Sequence, residues 1–380
     1  MEVYLDNAAT TKTDPQVIKV MFSLQESIIG NASSLHKLGL KAANEVEKSR
    51  QIIAQKINAL PEEIFFTSGG TESNNLALKG VAFAAKGKGR HIIVSKIEHP
   101  SIIETARWLE KQAFEITYLG VDKEGFVNPD DVEKAIKKET ILVSVMHANN
   151  EIGTVEPIGE IGAICRKRGV YFHADACQSF TKLKLDVKKQ NLDLVTLNAH
   201  KIHGPRGIGA LYVKKGIKIE PILHGGNQES GFRSGTYNTE AIAGFGKAVE
   251  IANTSDIKRM TELRDYFIRK IKNSIEDVFL NGPQERRLCN NINLGFKSVS
   301  GKKLLSELNK RDIFISTGSA CSSNKLTPSH VLLAMGIEPE AAKEAIRISL
   351  SKWTRQEELD FVIRNLTGIV QRQRKIKCPG

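Results

Sequence analysis

The chain has 380 residues, 41% of them hydrophobic and 26% charged, enough to build a sizeable core and too evenly mixed for a disordered or low-complexity protein. Lys and Arg exceed Asp and Glu by 55 to 43, a net charge of +12 that suits an acidic protein partner or an anionic cofactor; the excess is dispersed and no RNA- or DNA-binding motif accompanies it, which argues against nucleic acid. The opening MEVYLDNAATT lacks the segments of a signal peptide, no apolar run could span a bilayer, and the five cysteines have neither disulfide nor zinc spacing. A cytoplasmic protein with reduced thiols is expected.

In chain order, Asp14-Pro15 carries an N-cap residue followed by proline, as do His99-Pro100 and Asn128-Pro129, and each predicts a helix start. Gly169 after IGEIGAICRKR predicts a helix stop. Between the helices, EIFFT, HIIVS, EITYL, TILVSVM, VYFHA, DLVTL and ALYV read as strands, and the alternation predicts an α/β fold with a mostly parallel sheet flanked by helices. From about Asp256 the pattern changes to long charged amphipathic stretches with strands such as NNINLGF and IRISL. The expected organisation is a large domain over residues 14–255 and a smaller α+β domain formed by 1–13 and 256–380.

Ligands of open α/β sheets bind beyond the carboxyl ends of the strands. Five successive predicted strand ends carry polar or ionisable groups: SGGTES, EH, HANNEIG, DACQS and NAHKIHGPRG. TSGGTES, between a strand and a helix, suits an anion at the helix N-terminus, although a Gly-Gly turn alone is more often just a tight turn. Asp175 ends an apolar strand, where a carboxylate is costly unless paired; it suits a protonated ring nitrogen or caps a turn. His99 suits stacking on a flat ring or a structural role. Lys201, beside histidines and a Gly-Pro turn, suits an amine nucleophile or a surface lysine. In STGSACSSNK, Cys321 sits among small residues that permit movement, as either an incidental thiol or a nucleophile on a mobile loop.

These segments, together with YLDNAATT, HGGNQESGFRSGT and RISLSKWT, resemble in order the cysteine desulfurases of the NifS/IscS type, which are pyridoxal 5'-phosphate (PLP) enzymes with the aspartate-aminotransferase fold, PLP fold type I. The resemblance implies that Lys201 binds PLP covalently and His99 stacks on its ring. Asp175 would pair with the ring nitrogen, Gln178 and Asn150 would hydrogen-bond cofactor or substrate, and Gly70, Thr71 and His200 would hold the phosphate. It further implies that Thr236 reaches the phosphate of a neighbouring subunit in a homodimer, and that Arg347 takes the substrate carboxylate. Two positions depart from the pattern: Asn198 replaces a serine at the phosphate, and Cys177 replaces a threonine between Asp175 and Gln178.

The implied reaction converts L-cysteine to L-alanine and leaves a persulfide on Cys321 for a sulfur acceptor such as an iron–sulfur scaffold, where Cys321 could transiently ligate iron. Two other readings stay open: a PLP lyase or aminotransferase acting on a related substrate such as selenocysteine, and a sulfur-relay or scaffold-binding protein with impaired PLP chemistry. Plain transamination needs no thiol, so Cys321 separates the first from desulfuration.

Overall fold

A computed structural model describes residues 1–85, 87–318 and 328–377; Cys321 and Cys378 lie outside them. A short strand β1 (Val3–Tyr4) opens the chain, and helices Pro15–Ser27 and Lys37–Lys56 follow. Then come β2 (Ile64–Thr67), helix Gly70–Ala84, β3 (His91–Ser95), helix Pro100–Glu110, β4 (Glu115–Leu119), helix Pro129–Ala135 and β5 (Thr140–Ser144). Helix Ile158–Arg168, β6 (Tyr171–Asp175), β7 (Leu194–Asn198), β8 (Gly209–Val213), and helices Thr239–Glu250 and Thr254–Ser274 continue the chain. The remainder holds β9 (Val278–Leu280), β10 (Asn291–Phe296), helix Gly301–Asn309, β11 (Ile313–Phe314), β12 (Ala345–Ser349) and helix Gln356–Lys377.

The punctuation acts as expected. Asp14, His99 and Asn128 each accept a hydrogen bond from the backbone N–H two residues on, with proline at the first helical position. Gly169 stops its helix in the left-handed conformation at φ 67°. The strand expected over 140–146 ends at Ser144, because the Met146 N–H turns to the Glu98 carboxylate at 2.8 Å.

The seven-stranded sheet has the order β2-β8-β7-β6-β5-β3-β4. It is parallel except at β8, which runs antiparallel to both β7 and β2. Strands β2, β3, β5, β7 and β8 are buried throughout, as a sheet covered on both faces requires. One apolar layer, including Val46, Ile53, Ile161 and Phe245, packs on one face, and another, with Leu76, Leu78, Ile102 and Leu109, on the other.

A second core surrounds the three-stranded antiparallel sheet β12-β10-β9 and includes Phe267, Ile292, Leu304, Ile348 and Leu366. The first residues of the chain join it: β1 pairs in parallel with β11, and Asn7 donates to the Ser349 carbonyl at 2.8 Å. The ends of β6 and β7 are thereby brought against residues from both parts of the chain.

Candidate active site

A cleft opens at the carboxyl ends of β3, β5, β6 and β7, the place that open α/β sheets offer to ligands. Gly70, Thr71, His99, Asn150, Asp175, Gln178, Asn198, His200 and Lys201 all line it, so residues spread over 132 positions of sequence meet here because each follows a strand that ends on the same side.

Asp175, the last residue of β6, is buried. Its carboxylate accepts from the Asn74 amide at 2.8 Å and from the Cys177 N–H at 2.9 Å. Burial would raise its pKa, but His99 beside it and these donors outweigh that effect and hold it below the ordinary carboxylate range. The negative charge is thus kept inside the protein, facing the cleft.

Asn74 also donates to the Ser101 hydroxyl at 2.8 Å, and that hydroxyl lies 2.8 Å from His99 Nδ1. His99, the N-cap of helix Pro100–Glu110, accepts from the Ser101 N–H through the same nitrogen. Burial, with Lys201 nearby, lowers the His99 pKa to about 4, so its ring is neutral. A hydrogen-bonded chain from His99 through Ser101 and Asn74 to Asp175 therefore sets one wall of the cleft.

The opposite end suits an anion. Helix Gly70–Ala84 starts at the cleft after Gly69, whose φ of 152° favours glycine. A Cβ on Gly70 would lie 2.6 Å from Cys177 Sγ and push that thiol aside, whereas glycine lets a ligand approach the backbone N–H groups of the helix start. His200 meets the Thr10 hydroxyl at 3.2 Å. Asn198 Oδ1 is buried with no hydrogen-bond partner among the described residues. The glycine-lined helix start, with His200 beside it, and the buried carboxylate suit a group that carries an anion and a protonated ring nitrogen, as PLP does.

Other expected residues sit differently. Gln178 donates its side-chain amide to the Ala8 carbonyl at 2.9 Å. Arg347, on β12, is buried and does not line the cleft: it pairs with Asp6 at 2.6 Å and donates to the Asn150 carbonyl at 3.1 Å, one residue behind the wall. Its Nε has no hydrogen-bond partner among the described residues. Thr236 is exposed, away from this cleft. The segment after residue 327 packs next to residues that border the cleft: Ser329 donates to the carboxylate of Glu151, which follows Asn150, at 2.5 Å, and His330 Nε2 lies 3.0 Å from the carbonyl of Glu98, which precedes His99.

Sequence reading did not single out Asn74 or Ser101. A helical-register reading of TSGGTESNN would have flagged Asn74, one turn after Gly70, while nothing in the sequence marks Ser101. The described thiols Cys165, Cys177 and Cys289 are all buried, and burial pushes each thiol above its ordinary pKa. None is poised as a thiolate.

Known proteins point the same way as this geometry. The class-V aminotransferase family matches residues 3–362. Cysteine desulfurase IscS of Dictyoglomus turgidum is 50% identical over 99% of this chain and 96% of that protein. A solved NifS-like protein superposes with a TM-score of 0.92 at 36% identity, covering 98% of this chain and all (100%) of that one. The structure of SspA in complex with cysteine gives 0.84 at 38% identity, over 93% of this chain and 100% of the other. The chain belongs to the class-V aminotransferases, a PLP-dependent family, and within it to the NifS/IscS-type cysteine desulfurases.

Proposed function

We propose that the protein is a PLP-dependent cysteine desulfurase that converts L-cysteine to L-alanine and carries the released sulfur as a persulfide on Cys321. The observation that carries this reading is the convergence of Lys201, Asp175, His99 and the start of helix Gly70–Ala84 on one cleft. PLP, when bound there, supplies a protonated ring that takes up the electrons of a substrate C–H bond.

The protein's residues do the rest. Asp175 holds negative charge at the ring-nitrogen end, neutral His99 covers the ring, and Gly70, Thr71, His200 and Asn198 receive the phosphate. Lys201 moves the proton at the substrate α-carbon. Arg347 takes the substrate carboxylate by sharing a guanidinium that now holds Asp6 and the Asn150 carbonyl. Cys321 attacks the substrate sulfur: the carbon–sulfur bond breaks, a sulfur–sulfur bond forms, and the carbon gains a proton as alanine leaves. The buried, protonated state of the three described thiols supports assigning this step to Cys321.

A homodimer completes the site. Ile18, Phe22, Ile29, Leu35, Leu38 and Leu40 are exposed apolar side chains within a short stretch of chain, Leu35 at 90%. Such a surface suits a second copy, whose Thr236, exposed here, would reach the neighbouring phosphate. Most of the cleft is built by a unit of residues 14–255, and Ala9 comes to it from the smaller unit of 1–13 and 256–380. The sulfur acceptor is an iron–sulfur scaffold or another carrier with an acidic surface that complements the net charge of +12. Among the described residues no helix is long and apolar enough to cross a membrane, and the reduced cysteines suit the cytoplasm.

The test is alanine formation from L-cysteine and PLP under reducing conditions by wild type, Lys201→Ala and Cys321→Ser. Turnover by wild type alone is expected. Undiminished alanine from Cys321→Ser would sink the persulfide step, and wild type that takes up no PLP would favour a relay protein.

A further inference from the structure

The turn after Asp175 carries a lysine that the reaction itself does not use. Lys182 Nζ donates to two backbone carbonyls, Gln178 at 2.9 Å and Lys201 at 3.0 Å. These are the carbonyls of two cleft-lining residues, and neither accepts another hydrogen bond among the described residues. Lys182 has no carboxylate within ion-pairing distance among the described residues, and burial lowers its pKa to about 8. A lysine held this far from counter-charge is an expensive way to fill space.

Lys201 also borders a second cavity on the far side of its turn, shared with Lys182, His203, Asp256, Asn290 and Lys352. The Lys201 turn is thus a partition between two spaces. Its neighbours are tied elsewhere: the His200 carbonyl accepts from Thr11 and the Ala199 carbonyl from Gly204. At Lys201 itself the only hydrogen bond to its carbonyl among the described residues comes from Lys182.

We propose that Lys182 is a positioning residue that ties the Lys201 turn to the Gln178 turn, so that the Lys201 amine meets the cofactor at a fixed place instead of sinking toward the rear cavity. The inference rests on Lys201 being the cofactor-binding amine. A small displacement of a reacting group costs rate steeply, so the effect belongs to the attachment step before any turnover.

The experiment mixes PLP-free protein with PLP, quenches with borohydride at timed intervals, and measures by mass spectrometry the Lys201 peptide that carries reduced PLP. Wild type, Lys182→Met, Lys182→Arg and Lys201→Ala are compared, with an unfolding midpoint for each PLP-free form. Folded Lys182→Met is expected to label Lys201 about tenfold or more slowly, and Lys182→Arg, which keeps the donors, to recover most of the rate. Should Lys182→Met not fold, Lys182→Leu, which likewise has no donor, takes its place. Labelling at the wild-type rate by the folded Met or Leu variant, with only a lowered unfolding midpoint, overturns the proposal. Wild type that gains no label at Lys201 instead overturns the assignment of Lys201 on which it stands.

Discussion

The floor of the cleft and the loop from His224 to Tyr237 are built on different plans. On the floor, Asp175, Asn74, Ser101 and His99 are held by one another and face inward. In the loop the fixed part is the root: Glu229 receives two hydrogen bonds from the Arg50 guanidinium, each 2.8 Å long, and one from the Phe66 N–H at 2.6 Å. The backbone around it is left-handed at Asn227, Glu229, Ser230 and Gly231, a costly run that persists because the ion pair pins it. The tip, with Thr236, stays exposed. The floor is held together by its own polar contacts, whereas the loop is fixed at its root and exposed at its tip.

The largest effect should come from cutting the loop's root. Glu229→Ala leaves the Phe66 N–H unpaired and the buried Arg50 guanidinium with only the exposed Glu47 as a carboxylate partner, and a loss of about 3 kcal/mol is expected from urea unfolding. A variant as stable as wild type would show that the strained run holds itself.

Next is a cost the floor carries and the loop does not. Glu98 is buried behind the cleft, accepting from Ser95 at 2.6 Å and Met146 at 2.8 Å, with its other oxygen unpartnered among the described residues. Burial pushes its pKa up to about 8. The folded protein keeps a proton that the unfolded chain releases above its ordinary pKa, so this contribution to stability is full at low pH and lost as pH rises through 8. Glu98→Gln mimics the protonated acid. Its unfolding free energy from urea titration should gain on wild type steadily between pH 5 and 8, by on the order of a few kcal/mol at the upper end; a pH-independent gap would place the charge elsewhere.

A smaller change tests the floor's wiring. Asn74→Ala removes one donor from Asp175 and one from Ser101, and should weaken PLP retention by about tenfold, the scale of a hydrogen bond to a charged group. Equilibrium dialysis measures it. Thr236→Ala should be the mildest, within about 0.5 kcal/mol in stability as an exposed substitution. It should loosen PLP only at protein concentrations where dimers form; the same loosening in dilute monomer would assign Thr236 to its own chain's site.

Sequence reading reached the parts of this molecule that short-range physics sets. Asp14, His99 and Asn128 cap helices because a side chain accepts from a backbone N–H two residues away, and Gly169 stops one because its own φ allows it. The strands of the large sheet were legible as apolar runs, and the strand ends named most of the cleft. Less legible were β8, antiparallel in an otherwise parallel sheet, and the pairing of β1 with β11, since neither direction nor partner is written in a short apolar run.

By itself the sequence determined the local elements, the chemistry at each strand end and, through many motifs in fixed order, the family. Only the tertiary structure decided that Asn74 and Ser101 wire His99 to Asp175, that Arg347 rests on Asp6 behind the wall, and that Lys182 holds Lys201 from the rear. The physical reason is separation along the chain: Asn74 lies 101 residues from Asp175, and Arg347 lies 341 from Asp6. Contacts at such distances arise from how sheets and helices stack, and no local pattern of residues records which side chains will meet.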